Sequence, residues 1–143
     1  MTSDPMRVVI ATRTYETSIE DLWDALTNVE RISAWFLPVA GRLQIGGRYR
    51  FKGSASGHIL RYEPPRMLAV TWKLAGSVSW VTVTLGTDAA GGTTLELEHV
   101  TPASEHWKQF GAGALGVGWD CAMMGLARHV ASGARVVPTD AAA

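Results

Sequence analysis

The feature that most constrains the fold is a run of short strand-like segments between residues 40 and 101. The segments are rich in β-branched and aromatic residues, and turn residues separate them at intervals of about 8–12 residues. They span residues 41–45, 48–53, 57–63, 67–74, 79–85 and 93–101. Such short connections indicate an antiparallel sheet, because parallel strands need long crossover connections.

Helical periodicity flanks this run on both sides. A strand-like segment at 7–16 is followed by four apolar residues spaced as on one helix face, namely Ile19, Leu22, Trp23 and Leu26. Thr17 with Glu20, or Ser18 with Asp21, supplies a capping box, and a second short helix is expected over 29–36. After Pro102 the period is helical to about Val130. The pattern therefore predicts an α+β domain, a curved antiparallel sheet with the last helix across one face.

Residues 111–116 read Gly-Ala-Gly-Ala-Leu-Gly and satisfy the G-x-G-x-x-G pattern of dinucleotide-binding loops. That motif needs a preceding strand and a later parallel strand, yet residues 104–110 do not alternate like a strand. The chain after Gly116, residues 117–143, is too short for the rest of a doubly wound sheet. We therefore interpret these glycines as packing residues of the last helix.

On a helical wheel the last helix carries two stripes. A stripe of large apolar residues consists of Leu115, Trp119, Ala122, Met123, Leu126 and Val130. A separate stripe of small residues consists of Ala114, Gly118, Cys121 and Gly125. Each interior glycine costs up to about 1 kcal/mol relative to alanine, so a compensating feature is expected. Either another backbone approaches closely there, or the missing side chains leave a void between helix and sheet.

Charge and cysteine content exclude several function classes. The chain has 13 basic and 13 acidic residues, a formal net charge of zero, although basic residues are concentrated between Arg42 and Arg66. Nucleic-acid binders usually show a basic excess, so we do not expect nucleic acid as a partner. Cys121 is the only cysteine, which excludes an internal disulfide and a cysteine zinc site.

Catalytic and targeting motifs are also missing from the sequence. The four histidines, His58, His99, His106 and His129, have no metal-ligand spacing, and no G-x-S-x-G elbow is present. We expect no metal and no cofactor. Without a signal-peptide pattern or an apolar run that could span a membrane, we predict a cytoplasmic location.

The order of these segments resembles the START-like (SRPBCC, helix-grip) superfamily and, within it, the family of activator-of-heat-shock-protein-ATPase homologues. The resemblance is carried by residues 22–36, 46–51, 62–72, 79–85, 92–100 and 116–130. It implies a sheet of six or seven strands wrapped around the long C-terminal helix, with a cavity between them. The START-like domain would span residues 7–131, with a tail over 132–143.

Members of the superfamily bind or transport apolar molecules, cyclise polyketides or act as co-chaperones. The family has no universal catalytic motif, so the resemblance assigns no catalytic residue. Our leading hypothesis is a small stand-alone domain that binds an apolar or aromatic molecule without catalysis. The alternatives are a regulator of a heat-shock-protein ATPase and a cyclase- or hydrolase-type enzyme that uses His99 with Tyr62 or His58.

Candidate ligand-binding residues follow from strand alternation and from the resemblance. His99 shares a strand face with Leu95 and Leu97, whereas Glu96 and Glu98 share the other face. It is either a core-edge histidine with a satisfied hydrogen bond, a ligand contact or a general base. His58, Leu60 and Tyr62 are expected to share one face, and Trp107 and Phe110 to form a lid. The full candidate set is Trp35, Phe36, His58, Tyr62, Trp72, His99, Trp107, Phe110, Trp119 and Met123.

Trp80 is expected on the opposite, outer face of the sheet. It alternates with Val81, Val83 and Leu85, which would face the last helix. An exposed tryptophan suggests a protein contact. We therefore predict a homodimer through the outer sheet face or the strand edge.

Overall fold

The computed structural model describes residues 6–41, 43–52, 55–74, 77–102 and 119–131. Its elements in chain order are β1 (Met6–Tyr15), α1 (Ile19–Thr27), α2 (Val29–Trp35), β2 (Val39–Gly41), β3 (Arg48–Phe51), β4 (Ser56–Glu63), β5 (Met67–Leu74), β6 (Ser77–Thr87), β7 (Thr93–Pro102) and a helix over residues 119–131, here α3. All strand pairs are antiparallel in one seven-stranded sheet of order β1-β7-β6-β5-β4-β3-β2. The predicted α+β helix-grip fold is confirmed.

The two short helices begin at side-chain caps. The Ser18 hydroxyl accepts a hydrogen bond from the backbone N–H of Asp21 at 3.1 Å, so Ser18 is the N-cap of α1, while the Asp21 carboxylate accepts from the Thr17 hydroxyl at 2.6 Å. The amide oxygen of Asn28 accepts from the backbone N–H of Glu30 at 2.9 Å and starts α2. One residue therefore ends α1 and caps α2, which fixes the sharp turn between them.

The core lies between one face of the sheet, here the inner face, and the three helices. Alternate side chains of β5, β6 and β7 point to this face and are buried: Leu68, Val70, Val81, Val83, Leu85, Leu95 and Leu97. Helix α3 contributes Ala122, Met123 and Leu126 from the predicted large apolar stripe. The opposite, outer face carries Trp80, which is 38% exposed, as predicted.

Strand β4 departs from regular alternation. A register shift between Ile59 and Arg61 inserts one extra residue opposite β5, and Leu60 is exposed at this bulge. His58 therefore pairs with Arg48 on the outer face, whereas Tyr62 pairs with Leu68 of the inner face. The expectation that His58, Leu60 and Tyr62 share one face is wrong, because the bulge reverses the alternation between the first and the last of them.

The first hairpin is shifted relative to the sequence prediction. The strand expected over 41–45 is the three-residue strand β2, which ends at Gly41, and residues 44–46 belong to the turn that follows. Gly46 has a φ of 74° in this turn, a conformation that glycine adopts without steric cost. Gly41 has a φ of 124°, and a Cβ there would lie 2.1 Å from the carbonyl oxygen of Arg48. The strand therefore ends at a position where the two backbones approach too closely for a side chain.

Helix α3 passes close to the end of α2. A Cβ at Gly125 would lie 2.8 Å from the carbonyl oxygen of Trp35, so close backbone approach accounts for this member of the small stripe. Cys121 is exposed instead. Ala114, Gly118 and the glycine pattern at 111–116 lie outside the described residues. Of the helices described, none is long and apolar enough to cross a membrane.

Candidate ligand-binding cavity

A cavity of about 100 Å³ lies between the inner face of the sheet and the helices. Here it is called the inner cavity. Every described side chain that lines it is aliphatic or aromatic: Leu26, Ile32, Trp35, Phe36, Leu43, Tyr49, Phe51, Leu68, Val70, Trp72, Val81, Val83, Leu97 and Trp119. An apolar wall of this kind favours dry contents or an apolar ligand.

Aromatic rings form a continuous part of this wall. The Trp35 and Phe36 rings stack with centroids 5.5 Å apart, and Phe36 stacks on Trp119 at 6.4 Å. Trp119 in turn packs against Trp72 at 5.2 Å. Because such offset and tilted pairs stabilise one another beyond area burial, they hold the wall in a defined shape.

The polar atoms of two wall residues bond to the backbone. The indole Nε1 of Trp35 donates to the carbonyl oxygen of Ala25 at 2.7 Å. The Tyr49 hydroxyl donates to the carbonyl oxygen of Thr71, and burial raises the pKa of this hydroxyl. Because these polar atoms already have hydrogen-bond partners, a bound molecule would contact the ring faces of Trp35 and Tyr49.

Behind this wall lies a chain of hydrogen bonds that starts at Trp119. Its indole Nε1 donates to Nδ1 of His99 at 2.9 Å. Nε2 of His99 lies 2.7 Å from the hydroxyl oxygen of Ser79, and the Ser79 hydroxyl lies 3.2 Å from the carbonyl oxygen of Trp72. Because an indole can only donate, Nδ1 must accept, so the neutral ring carries its proton on Nε2. That proton is donated to Ser79, whose hydroxyl donates to Trp72.

This arrangement defines the chemistry open to His99. The ring is 2% exposed, and burial lowers its pKa to about 4. A Ser–His pair can activate a nucleophile only if the histidine nitrogen nearest the hydroxyl is free to accept its proton. Here that nitrogen carries a proton of its own. The geometry therefore matches the core histidine with satisfied hydrogen bonds, and direct ligand contact by His99 stays a prediction.

The structure distributes the predicted site residues over several places. Trp35, Phe36, Trp72 and Trp119 line the inner cavity, and His99 lies behind two of them.

The other predicted residues lie elsewhere. Tyr62 packs its ring on Trp23 at 5.5 Å, and His58 lies on the outer face. The Met123 side chain is buried, and the Tyr15 hydroxyl donates to the Met123 carbonyl oxygen at 3.2 Å. Trp107 and Phe110 lie outside the described residues. The proposed pairing of His99 with Tyr62 or His58 is not formed.

A second buried cluster joins the helices and was missed at the sequence level. Arg31 of α2 is 4% exposed, and its Nε donates to Nε2 of His129 in α3 at 3.0 Å. Its Nη1 donates to the carboxylates of Asp21 at 2.9 Å and Asp24 at 3.1 Å. Burial, and then the charge of Arg31, lower the pKa of His129. The cluster holds α3 against α1 and α2, and so keeps one side of the inner cavity in place.

Metal chemistry has no support within the part of the chain that the structure describes. No three His, Cys, Asp or Glu side chains of that part come together in a way that could hold a metal ion.

Known proteins similar to this chain share its fold. The crystal structure of CalU16 from Micromonospora echinospora is 36% identical, with a TM-score of 0.78, and the match covers 87% of this chain and 76% of CalU16. MLL2253 from Mesorhizobium loti is 24% identical with a TM-score of 0.80, covering 90% of this chain and all (100%) of that one. PFC0360w, an HSP90 activator from Plasmodium falciparum, is 24% identical with a TM-score of 0.62, covering 70% and 77%.

The match to a family model agrees with these structures. No curated protein matches the sequence. The model described as Activator of Hsp90 ATPase homolog 1-like protein matches residues 16–131, most of the chain. This chain therefore belongs to the Activator of Hsp90 ATPase homolog 1-like family of START-like proteins.

Proposed function

We propose that this protein binds a compact apolar or aromatic molecule in the inner cavity. The observation that carries the proposal is the cavity itself, about 100 Å³ lined by aliphatic and aromatic side chains. Apolar cavities of roughly 150 Å³ stay dry and bind a molecule the size of benzene. At about 100 Å³ the inner cavity is smaller than that, so it takes at most one aromatic ring, alone or as part of a larger molecule.

The aromatic rings of the wall favour an aromatic ligand over an alkyl chain. Trp35, Trp72 and Trp119 present ring faces and edges to the cavity, and each can form an offset or edge-to-face contact with a bound ring. Binding would need no catalytic group, since the His99 chain of hydrogen bonds is complete without a ligand.

Native mass spectrometry of freshly purified protein tests this proposal, together with titration of indole, toluene and 1-naphthol. Val83→Phe places a larger side chain in the inner cavity and should abolish binding. Val78→Phe is the matched control, because Val78 lies on the same strand but is 39% exposed on the outer face. The proposal fails if none of the three probes binds the unmodified protein, or if both variants bind them normally.

Regulation of a chaperone ATPase is the second candidate function. The family description names an activator of the Hsp90 ATPase, and an HSP90 activator shares the fold. Trp80 and Val78 on the outer face offer an apolar surface for a protein partner. This function needs a surface, whereas ligand binding needs the cavity.

The two functions are separable by experiment. If the protein is such a regulator, it should change the ATPase rate of Hsp90, and Trp80→Ala should reduce the effect. Val83→Phe should leave it unchanged. A rate that does not respond to the protein at any concentration would exclude this second candidate.

A further inference from the structure

A separate groove of about 610 Å³ lies on the outer face, over strands β2 to β5. Its lining is part polar and part apolar and contains three cationic side chains, Arg48, Arg50 and Lys73, together with the imidazole of His58, but no acidic side chain. The remaining lining residues are Ala40, Gly41, Tyr49, Ser56 and Gly57. Here it is called the outer groove. Arg48 and Arg50 belong to the mid-chain group of basic residues between Arg42 and Arg66, for which the inner cavity gives no role.

The cations of the outer groove have no acidic partners among the described residues. Other arginines of the chain do: Arg13 pairs with Asp120 at 2.6 Å, and Arg61 pairs with Glu63 at 2.6 Å. The chain as a whole has equal numbers of acidic and basic residues. The positive charge of the outer groove is therefore local, and no ion pair between described residues neutralises it.

The sheet register brings these cations close together. Arg48 pairs directly with His58, while Arg50 and Lys73 both pair with Ser56 from opposite sides. Arg48 and Arg50 lie two residues apart on one face of β3, and Lys73 approaches from the other side of Ser56, so an anion seated between them would be attracted by all three charges. That is the physical reason to interpret the groove as a binding site rather than as an ordinary solvated surface.

We propose that the outer groove binds a small molecule that carries two or more linked phosphate groups. Neighbouring strands lie about 5 Å apart, so Arg50 and Lys73 approach a ligand from backbone positions roughly 10 Å apart. A single phosphate is too small to meet both without drawing their side chains together, whereas a chain of two or three phosphates spans the gap. Arginine supplies paired N–H donors that match phosphate oxygens, and lysine supplies a point charge.

The limited extent of the groove favours a small polyanion over a nucleic acid. Its three cationic side chains and His58 lie on three adjacent strands, β3, β4 and β5, within a volume typical of small-molecule sites. A nucleic-acid surface would need a longer basic stripe that follows the phosphate backbone.

Isothermal titration with inorganic tripolyphosphate at low salt tests this inference. We expect binding that weakens as salt rises from about 50 to 200 mM, because the contacts are charged. Arg50→Gln and Lys73→Gln should each weaken it about fivefold or more. Arg61→Gln is the matched control, since it removes the same charge from the same sheet at an arginine that already has a partner, and it should leave affinity within twofold.

Two further ligands and one spectroscopic readout complete the test. ATP should bind like tripolyphosphate and adenosine should not bind, which would identify the phosphate chain as the recognised group whether free or part of a nucleotide. The ring protons of His58 should shift during the tripolyphosphate titration, which locates the ligand without any substitution.

Three results would overturn the inference. The first is a lack of tripolyphosphate binding at low salt. The second is an equal loss of affinity in Arg61→Gln, which would mean non-specific attraction. The third is tight binding of single-stranded DNA that tripolyphosphate does not displace, which would make the groove a nucleic-acid surface instead. None of these results affects the proposal for the inner cavity.

Discussion

Trp119 donates its indole hydrogen to Nδ1 of His99 across 2.9 Å, and this bond joins helix α3 to strand β7 behind the inner cavity. The same tryptophan forms part of the cavity wall. The protonation state of His99 therefore decides whether Trp119 keeps this hydrogen bond, because a protonated ring has no free acceptor for the indole N–H.

Stability should fall as acid approaches the pKa of His99. Burial lowers this pKa to about 4 in the folded protein, whereas an unfolded histidine titrates near 6.5. Below pH 6.5 the unfolded state binds the proton first, so the free energy of unfolding decreases from about pH 6.5 down to about pH 4. The loss from His99 amounts to about 3 kcal/mol. Urea unfolding at several pH values measures it.

The control for this experiment is His99→Gln, which removes the titrating ring. The lowered pKa of His129 acts in the same direction, but it is present in both proteins. The difference between the two curves therefore isolates His99. A difference that does not change with pH would contradict the assignment.

Two substitutions at His99 should differ in cost. His99→Leu leaves the Trp119 indole and the Ser79 hydroxyl without a buried partner and should destabilise the fold by about 1–3 kcal/mol. His99→Gln retains one acceptor and one donor, so it should cost less and should weaken indole binding less. Thermal melts and indole titrations compare them. Equal stability and equal affinity would mean that the hydrogen bonds are not needed.

Arg31→Lys should destabilise the protein by roughly 2 kcal/mol, because lysine cannot bond to His129 and to both carboxylates at once. The matched control is Arg61→Lys, in an exposed pair with Glu63, which should change stability by less than about 0.5 kcal/mol. Chemical unfolding gives both values. Similar effects of the two changes would rule out a special role for the buried cluster.

Gly125→Ala should destabilise the protein by about 1–3 kcal/mol, because the new Cβ would meet the Trp35 carbonyl oxygen at 2.8 Å. Gly86→Ala is the matched control, since a Cβ there meets nothing within 4 Å. A thermal melt distinguishes the two variants. If both variants melt at the same temperature as the unmodified protein, the close approach of α3 to α2 does not explain the glycine at position 125.

The alternation of apolar residues predicted much of the fold and part of the site. It placed Val81, Val83 and Leu85 toward the last helix and His99 on one strand face with Leu97, because regular strands alternate strictly. The prediction from alternation failed in β4. The bulge between Ile59 and Arg61 adds one residue there, and the sequence pattern does not reveal it.

Contacts between distant residues were beyond this kind of prediction. The bond from Arg31 to His129 joins residues 98 positions apart, and Ser79 meets His99 only through strand register. The lack of acidic partners around the outer groove likewise depends on which side chains the folded sheet places together.

Self-association through the outer face remains a prediction. Trp80 and Val78 are exposed there, and Val8 and Ile10 extend the apolar surface on β1. If these residues form a dimer interface, sedimentation should show a dimer that Trp80→Lys dissociates. A monomer at high concentration would contradict it.

The inner cavity as a binding site is tested most directly by the tryptophan indole N–H resonances in an NMR titration with indole. The account predicts that saturating indole shifts the signals of Trp35, Trp72 and Trp119, leaves Trp80 unchanged, and shifts none of them in Val83→Phe. Shifts that are confined to Trp80, or that persist in Val83→Phe, would contradict it.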